Sequence, residues 1–199
     1  MIKILTNQYP NVNTLFKDQV DFPTQLTLSH DAYRSLTVKN AGGKSAISEA
    51  LSIEYFTKAF NATSIILEME IDYCIDYKMV DFICAIRQYK VGVSVTRAMG
   101  YPTAASYTLE QATTLLKKKL TGLIIARNGV NKRHNFYKSI LHIWCQSTDI
   151  ANLLEQAYSD LNFNEFGLDI KGIVILLLTI CPDPIIYKNL HHTIISPVF

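Results

Sequence analysis

An α/β domain is the fold class the sequence predicts, and three observations predict it. Hydrophobic residues make up 49% of the 199 positions and charged residues 18%, which supplies a sizeable core and excludes wholesale disorder. Stretches with the two-residue period of strands alternate with stretches of the 3.6-residue helical period. Residues 43–199 contain neither an internal repeat nor a linker, so these elements read as one domain.

Taken in order, residues 1–42 are weakly periodic, rich in Asn, Thr and Asp, and broken by Pro10 and Pro23. They read as an irregular N-terminal arm with room for one short helix. Gly42-Gly43-Lys44-Ser45 invites a phosphate-loop reading, but Val38 stands where that pattern needs glycine and no strand precedes it. A glycine break followed by Ser45 capping a helix fits better. Residues 45–60 lack Pro and Gly and place Ile53, Phe56 and Phe60 on one helical stripe.

Residues 65–73 alternate, with Leu67, Met69, Ile71 and Tyr73 on one face and Glu68, Glu70 and Asp72 on the other. A turn at Ile75-Asp76 leads to a second strand over 78–86. A turn at Gln88-Tyr89 leads to a third over 91–99, rich in Val and Thr. The three form an antiparallel meander. After Gly100-Tyr101-Pro102 a helix runs from about 108 to 126, stopped by Asn128-Gly129. A strand over 136–145, a helix over 150–161 and a strand over 173–180 complete the chain, the last ended by Pro182 and Pro184.

The N-terminus turns polar after three apolar positions and offers no signal-peptide core. The longest apolar run, 173–180, is too short to span a bilayer. Cys74, Cys84, Cys145 and Cys181 form no paired motif, which points to reduced thiols and away from a zinc site. A soluble intracellular protein without a membrane span is expected. The net charge of +2 excludes a strongly basic nucleic-acid binder, so any affinity for a polyanion must come from local charge.

The order helix, three-stranded meander, helix, strand over 45–145 resembles the core of the PD-(D/E)XK (restriction-endonuclease-like) nuclease superfamily. That resemblance implies an acid on the first helix, an Asp on the second strand and a (D/E)-x-K pair on the third. Together they hold Mg²⁺ or Mn²⁺ and activate water for phosphodiester hydrolysis. It also implies DNA or RNA as a partner.

Glu49 lies on the first helix, one turn before Ile53, on a largely apolar stripe. It is either a first-turn Glu favoured by the helix dipole or a carboxylate aimed at a site. Asp81 interrupts the apolar run Met79 to Ile86, where an unpaired carboxylate is costly and Asp is disfavoured. With Ile75-Asp76 as a two-residue turn, Glu70 faces Asp81, a like-charge pair that calls for a cation, a proton or a Lys between them. Glu70 and Asp81 are thus the candidate metal ligands.

The third strand departs from the family pattern. Thr96 faces Asp81, Ser94 shares that face, and the slot Ser94-Val95-Thr96 carries neither acid nor Lys. On the second helix, Leu109, Ala112, Leu115, Leu116, Leu120 and Leu123 define an apolar arc, and Lys119 falls inside it. Lys119 either snorkels toward the helix end or replaces the missing strand Lys from a neighbouring element. Glu49, Asp81 and Lys119 are the expected catalytic residues, with Ser94 and Thr96 near them. Arg97, Lys117, Lys118, Lys132 and Arg133 are the candidates for a phosphate backbone. They are equally a solvated helix end with cations near its C-terminus.

Two functions compete: a diverged Mg²⁺-dependent nuclease, and an inactive relative serving as a protein-interaction or nucleic-acid-binding module. The acidic face and Lys119 favour the first; Ser94-Val95-Thr96 favours the second.

Overall fold

Strands flanked by parallel neighbours are covered on both faces, so their sequences read as near-continuous apolar runs. The two most apolar runs of the chain accordingly sit inside the sheet. The computed structural model describes residues 15–21, 27–38, 45–74, 78–166, 170–187 and 196–197. In chain order its elements are β1 (Leu15–Gln19), β2 (Thr27–Leu28), α1 (His30–Thr37), α2 (Ala46–Phe60), β3 (Thr63–Leu67), β4 (Phe82–Ile86) and β5 (Tyr89–Ala98). There follow α3 (Leu109–Gly129), β6 (Lys138–Cys145), α4 (Thr148–Asp160), α5 (Ile170–Ile173), β7 (Val174–Ile180), α6 (Pro184–Tyr187) and β8 (Ser196–Pro197).

The main sheet has the order β1-β7-β6-β5-β4-β3, and β2 pairs with β8 in a small second sheet. β1, β7, β6 and β5 run parallel, while β4 is antiparallel to both β5 and β3. The fold is α/β with a mostly parallel sheet. Alternate side chains along β5 and β6 feed two cores. Val91, Val93, Val95, Ile140 and Trp144 pack with Leu51, Ile53 and Phe56 of α2. Leu141, Ile143 and Cys145 pack with Leu116, Leu120 and Leu123 of α3 and with Ile150 and Leu154 of α4. Trp144, fully buried, donates its indole N–H to Ser48 O (3.1 Å) and Ser52 Oγ (2.9 Å), so it belongs to the core. The long helix α3 starts on a capping box: Thr108 Oγ1 accepts from Gln111 N–H (3.2 Å) and Gln111 Oε1 from Thr108 N–H (2.9 Å).

Three expectations are corrected. Residues 15–19 of the expected irregular arm form β1 at the sheet edge against β7. The alternation over 65–73 does not persist as a strand. β3 stops at Leu67 because the Glu70 carboxylate accepts the Leu67 N–H (2.9 Å) and Ile71 N–H bonds Glu68 O (3.3 Å), closing a 3₁₀ turn over Glu68–Glu70. Met69, expected to face inward, is 53% exposed. The second hairpin turns at Arg87-Gln88, with Arg87 at φ 55°, so Ile86 pairs Tyr89. The expected turn at Ile75-Asp76 and the Gly42-Gly43-Lys44 break lie outside the described residues.

Next to Asp81 both registers differ from the expected ones by two residues. With Leu67 opposite Phe82, the next position toward Asp81 is Glu68, not Glu70. With Phe82 opposite Val93, the residue opposite Asp81 is Ser94, not Thr96.

Candidate functional site

Asp81 lies just before β4, where the strand leaves the ladder. Its N–H still donates to Val93 O (2.9 Å), and its Oδ2 takes the Val95 N–H (2.6 Å) that a longer strand would have bonded. The Ser94 hydroxyl is a further hydrogen-bond partner of this carboxylate. Asp81 is half-buried and lines a narrow cleft with Ser35, Val38, Glu49, Ile53, Leu67, Glu68 and Met69. Burial raises its pKa above the ordinary carboxylate value, opposed by the Lys119 ammonium and the Val95 and Ser94 hydrogen bonds.

Lys119 reaches this place from α3. Its ammonium donates to Val95 O (3.1 Å), the carbonyl of the residue whose N–H holds Asp81. Lys119 therefore has a fixed partner on β5 and stands within electrostatic reach of both Asp81 and Glu49.

Glu49 comes from the first turn of α2. The Ser45 side chain makes no capping bond to the helix backbone; its hydroxyl donates instead to Glu49 Oε1. The Glu49 pKa is pushed up to about 7, first by burial and then by the Asp81 charge, with a smaller contribution from Glu68. Ser45 and Lys119 pull it the other way. Near neutral pH this carboxyl is about half protonated, as expected where two like charges share a site.

The structure thus brings together Glu49, Asp81, Lys119 and Ser94. Glu70 is not among them: its carboxylate pairs with Arg34 and caps the Leu67 N–H. Glu68 lines the cleft in its place. The two-residue register shift explains the exchange, and the only sequence signal for Glu68 was that it shares a face with Glu70. Tyr73 was also missed; its hydroxyl accepts the Val80 N–H (2.9 Å) and feels the charges of Glu68 and Asp81. Thr96 stands two residues farther along β5 than the position opposite Asp81.

The donors around the cleft are hard carboxylate oxygens, the kind that suit Mg²⁺ or Mn²⁺. The cleft holds about 20 Å³ of solvent-sized space, room for a water or one ion. Among the described residues no three His, Cys, Asp or Glu side chains are grouped closely enough to enclose a metal. One oxygen of Asp81 is also committed to Val95. The described residues therefore do not form a closed protein cage for a metal.

The five basic candidates do not form one patch. Arg97 is partly buried, donates to Ile186 O (3.3 Å) and lies within electrostatic reach of Glu49. Lys117 and Lys118 are exposed midway along α3. Lys132 and Arg133 follow its end, about 18 Å away by helical rise, and Arg133 pairs with Asp72 (2.9 Å). Arg127 between them binds Phe136 O (3.1 Å) and Tyr137 O (2.8 Å), a structural use.

Comparison with other proteins adds one relative. The chain is 36% identical over 149 residues, 72% of its length, to a Dictyostelium discoideum protein described as "AAC-rich mRNA clone AAC4 protein". The match covers 22% of that protein, so the chain spans about a fifth of its relative's length. No protein-family model matches the chain, and no solved structure matches it. Among the described residues no helix is long and apolar enough to cross a membrane.

Proposed function

We propose that the chain is a diverged PD-(D/E)XK-like protein that acts on phosphodiester bonds of nucleic acid with a divalent metal. The observation that carries this reading is the convergence of Glu49 from α2 and Asp81 before β4 on one narrow cleft, with Lys119 from α3 bonded to the carbonyl of Val95, whose N–H holds Asp81. The order α2, β3-β4-β5, α3, β6 also agrees with the helix, meander, helix, strand order of that superfamily. Fold likeness alone does not carry activity, so the proposal stands on the cleft.

In this reading Glu49 and Asp81 would hold Mg²⁺ or Mn²⁺. The ion, when bound, supplies charge neutralisation at the phosphate and a more acidic water. Glu49 carries a proton for about half the time near pH 7 and can accept one from water or give it up. Lys119, anchored on Val95 O, keeps a positive charge beside Asp81, where the (D/E)-x-K Lys is otherwise missing from β5. Ser94 orients the Asp81 carboxylate by a hydrogen bond.

A second reading has its own observation. Asp81 behaves as a strand-end cap, bonding both Val93 and Val95, and Ser94-Val95-Thr96 supplies no acid. An inactive relative that binds nucleic acid or protein would keep this architecture for stability. Metal-dependent cleavage of a panel of single- and double-stranded DNA and RNA separates the two. Cleavage by wild type that Asp81→Asn abolishes supports the nuclease. No cleavage in Mg²⁺ or Mn²⁺ supports the inactive relative.

A further inference from the structure

A second, wider cleft has no part in the proposed chemistry. It runs between the end of β5 and the first half of α3, has a volume of about 540 Å³, and is lined by Arg97, Met99, Tyr107, Glu110, Gln111, Thr114, Leu115 and Lys118. That is the size range of small-ligand pockets, and too small for a duplex.

Its chemistry is divided. Met99, Tyr107 and Leu115 give it an apolar part, with Met99 38% exposed and the Tyr107 ring partly exposed. Arg97 and Lys118 give it two cations, against a single carboxylate from Glu110. The Tyr107 hydroxyl is buried and has no hydrogen-bond partner among the described residues, and burial pushes its pKa up to about 12. Tyr107 therefore lines the cleft with its ring rather than with a hydrogen-bonding hydroxyl.

An aromatic face, a thioether and two cations around one open groove match the two halves of a nucleotide. Bases stack on such a ring, and Arg and Lys take the phosphate. We propose that this cleft binds one phosphate-bearing nucleotide unit, with the base against Tyr107 and Met99 and the phosphate toward Arg97 and Lys118. The inference rests on the reading above only for the class of polymer. Arg97 also lies within electrostatic reach of Glu49.

Binding is measured with the whole chain in chelator, so that hydrolysis plays no part. The probes are a nucleoside 5′-monophosphate, the corresponding nucleoside, inorganic phosphate and a labelled single-stranded hexanucleotide, followed by calorimetry and anisotropy. The monophosphate is expected to bind more tightly than the nucleoside or phosphate alone. Hexanucleotide binding alongside it assigns the site to a strand; monophosphate binding alone assigns it to free nucleotides, and either supports the proposal. Tyr107→Ala should weaken binding about tenfold, Tyr107→Phe should leave it intact, and Lys118→Glu should weaken it severalfold. No monophosphate or hexanucleotide binding at millimolar concentration, or unchanged affinity in Lys118→Glu, overturns it. Absence of cleavage in a separate Mg²⁺ assay, with this binding retained, would instead count against the catalytic reading alone.

Discussion

Two charged regions of this chain, the acidic cleft at Glu49, Glu68 and Asp81 and the basic stretch from Lys117 to Arg133, have opposite fates. The acidic groups come from three separate elements and converge. The basic groups are neighbours in sequence and disperse along about 18 Å of helix into a carbonyl clamp at Arg127, an ion pair at Arg133 and exposed lysines. Sequence proximity on a helix scatters side chains around an axis, whereas a charge set into apolar text is held by the fold and needs a partner. Lys119 belongs to the second kind although it sits among the first. Lys117 and Lys118 face solvent while Lys119 bonds β5.

That contrast can be broken in order of expected effect. Asp81→Ala removes the acceptor of Val95 N–H and the counter-charge of Lys119, and should destabilise the fold by about 3 kcal/mol in urea unfolding. It should also lower the Glu49 pKa, because the Asp81 charge is one of the causes raising it.

Glu49→Gln should act in the opposite direction. Between the ordinary value of 4.5 and about 7, the unfolded chain gives up this proton while the folded chain keeps it. Stability therefore falls as pH rises through that window and stays lower above it. The Gln variant removes this dependence and should be more stable above pH 7 by up to about 2 kcal/mol, read as flattened melting temperatures between pH 4 and 8. Equal pH dependence in both proteins would place Glu49 in water rather than beside Asp81.

Lys119→Met should cost about 2 kcal/mol and raise the Glu49 pKa further, since its ammonium is one of the groups holding that value down. Lys117→Met and Lys132→Ala, on the dispersed stretch, should each change stability by less than about 0.5 kcal/mol. If Lys117→Met were as costly as Lys119→Met, the distinction between the two lysines would fail.

Asp81 and Lys119 were legible in the sequence because each interrupts an apolar pattern and each finds a partner on Val95 of β5. Glu49 was visible as a carboxylate on a mostly apolar stripe. Glu68 was not, because the alternation over 65–73 gave no sign that Glu70 would fold back onto the Leu67 N–H and end the strand. Side-chain capping of that kind competes with the ladder locally and leaves no periodic trace. β1 was hidden for a different reason. Leu15–Gln19 lies at the sheet edge with three of its five residues exposed, so its text carries little of the apolar signal by which the inner strands β6 and β7 were found.

The most direct test of the central claim is a Mn²⁺ titration near pH 6.5 with proton release followed alongside binding, comparing wild type with Asp81→Asn. A cation held by Glu49 and Asp81 must displace the proton that Glu49 carries at that pH. The account predicts saturable binding with release of part of one proton, both lost in Asp81→Asn. No binding at millimolar Mn²⁺, or binding of equal strength in the variant, would contradict it.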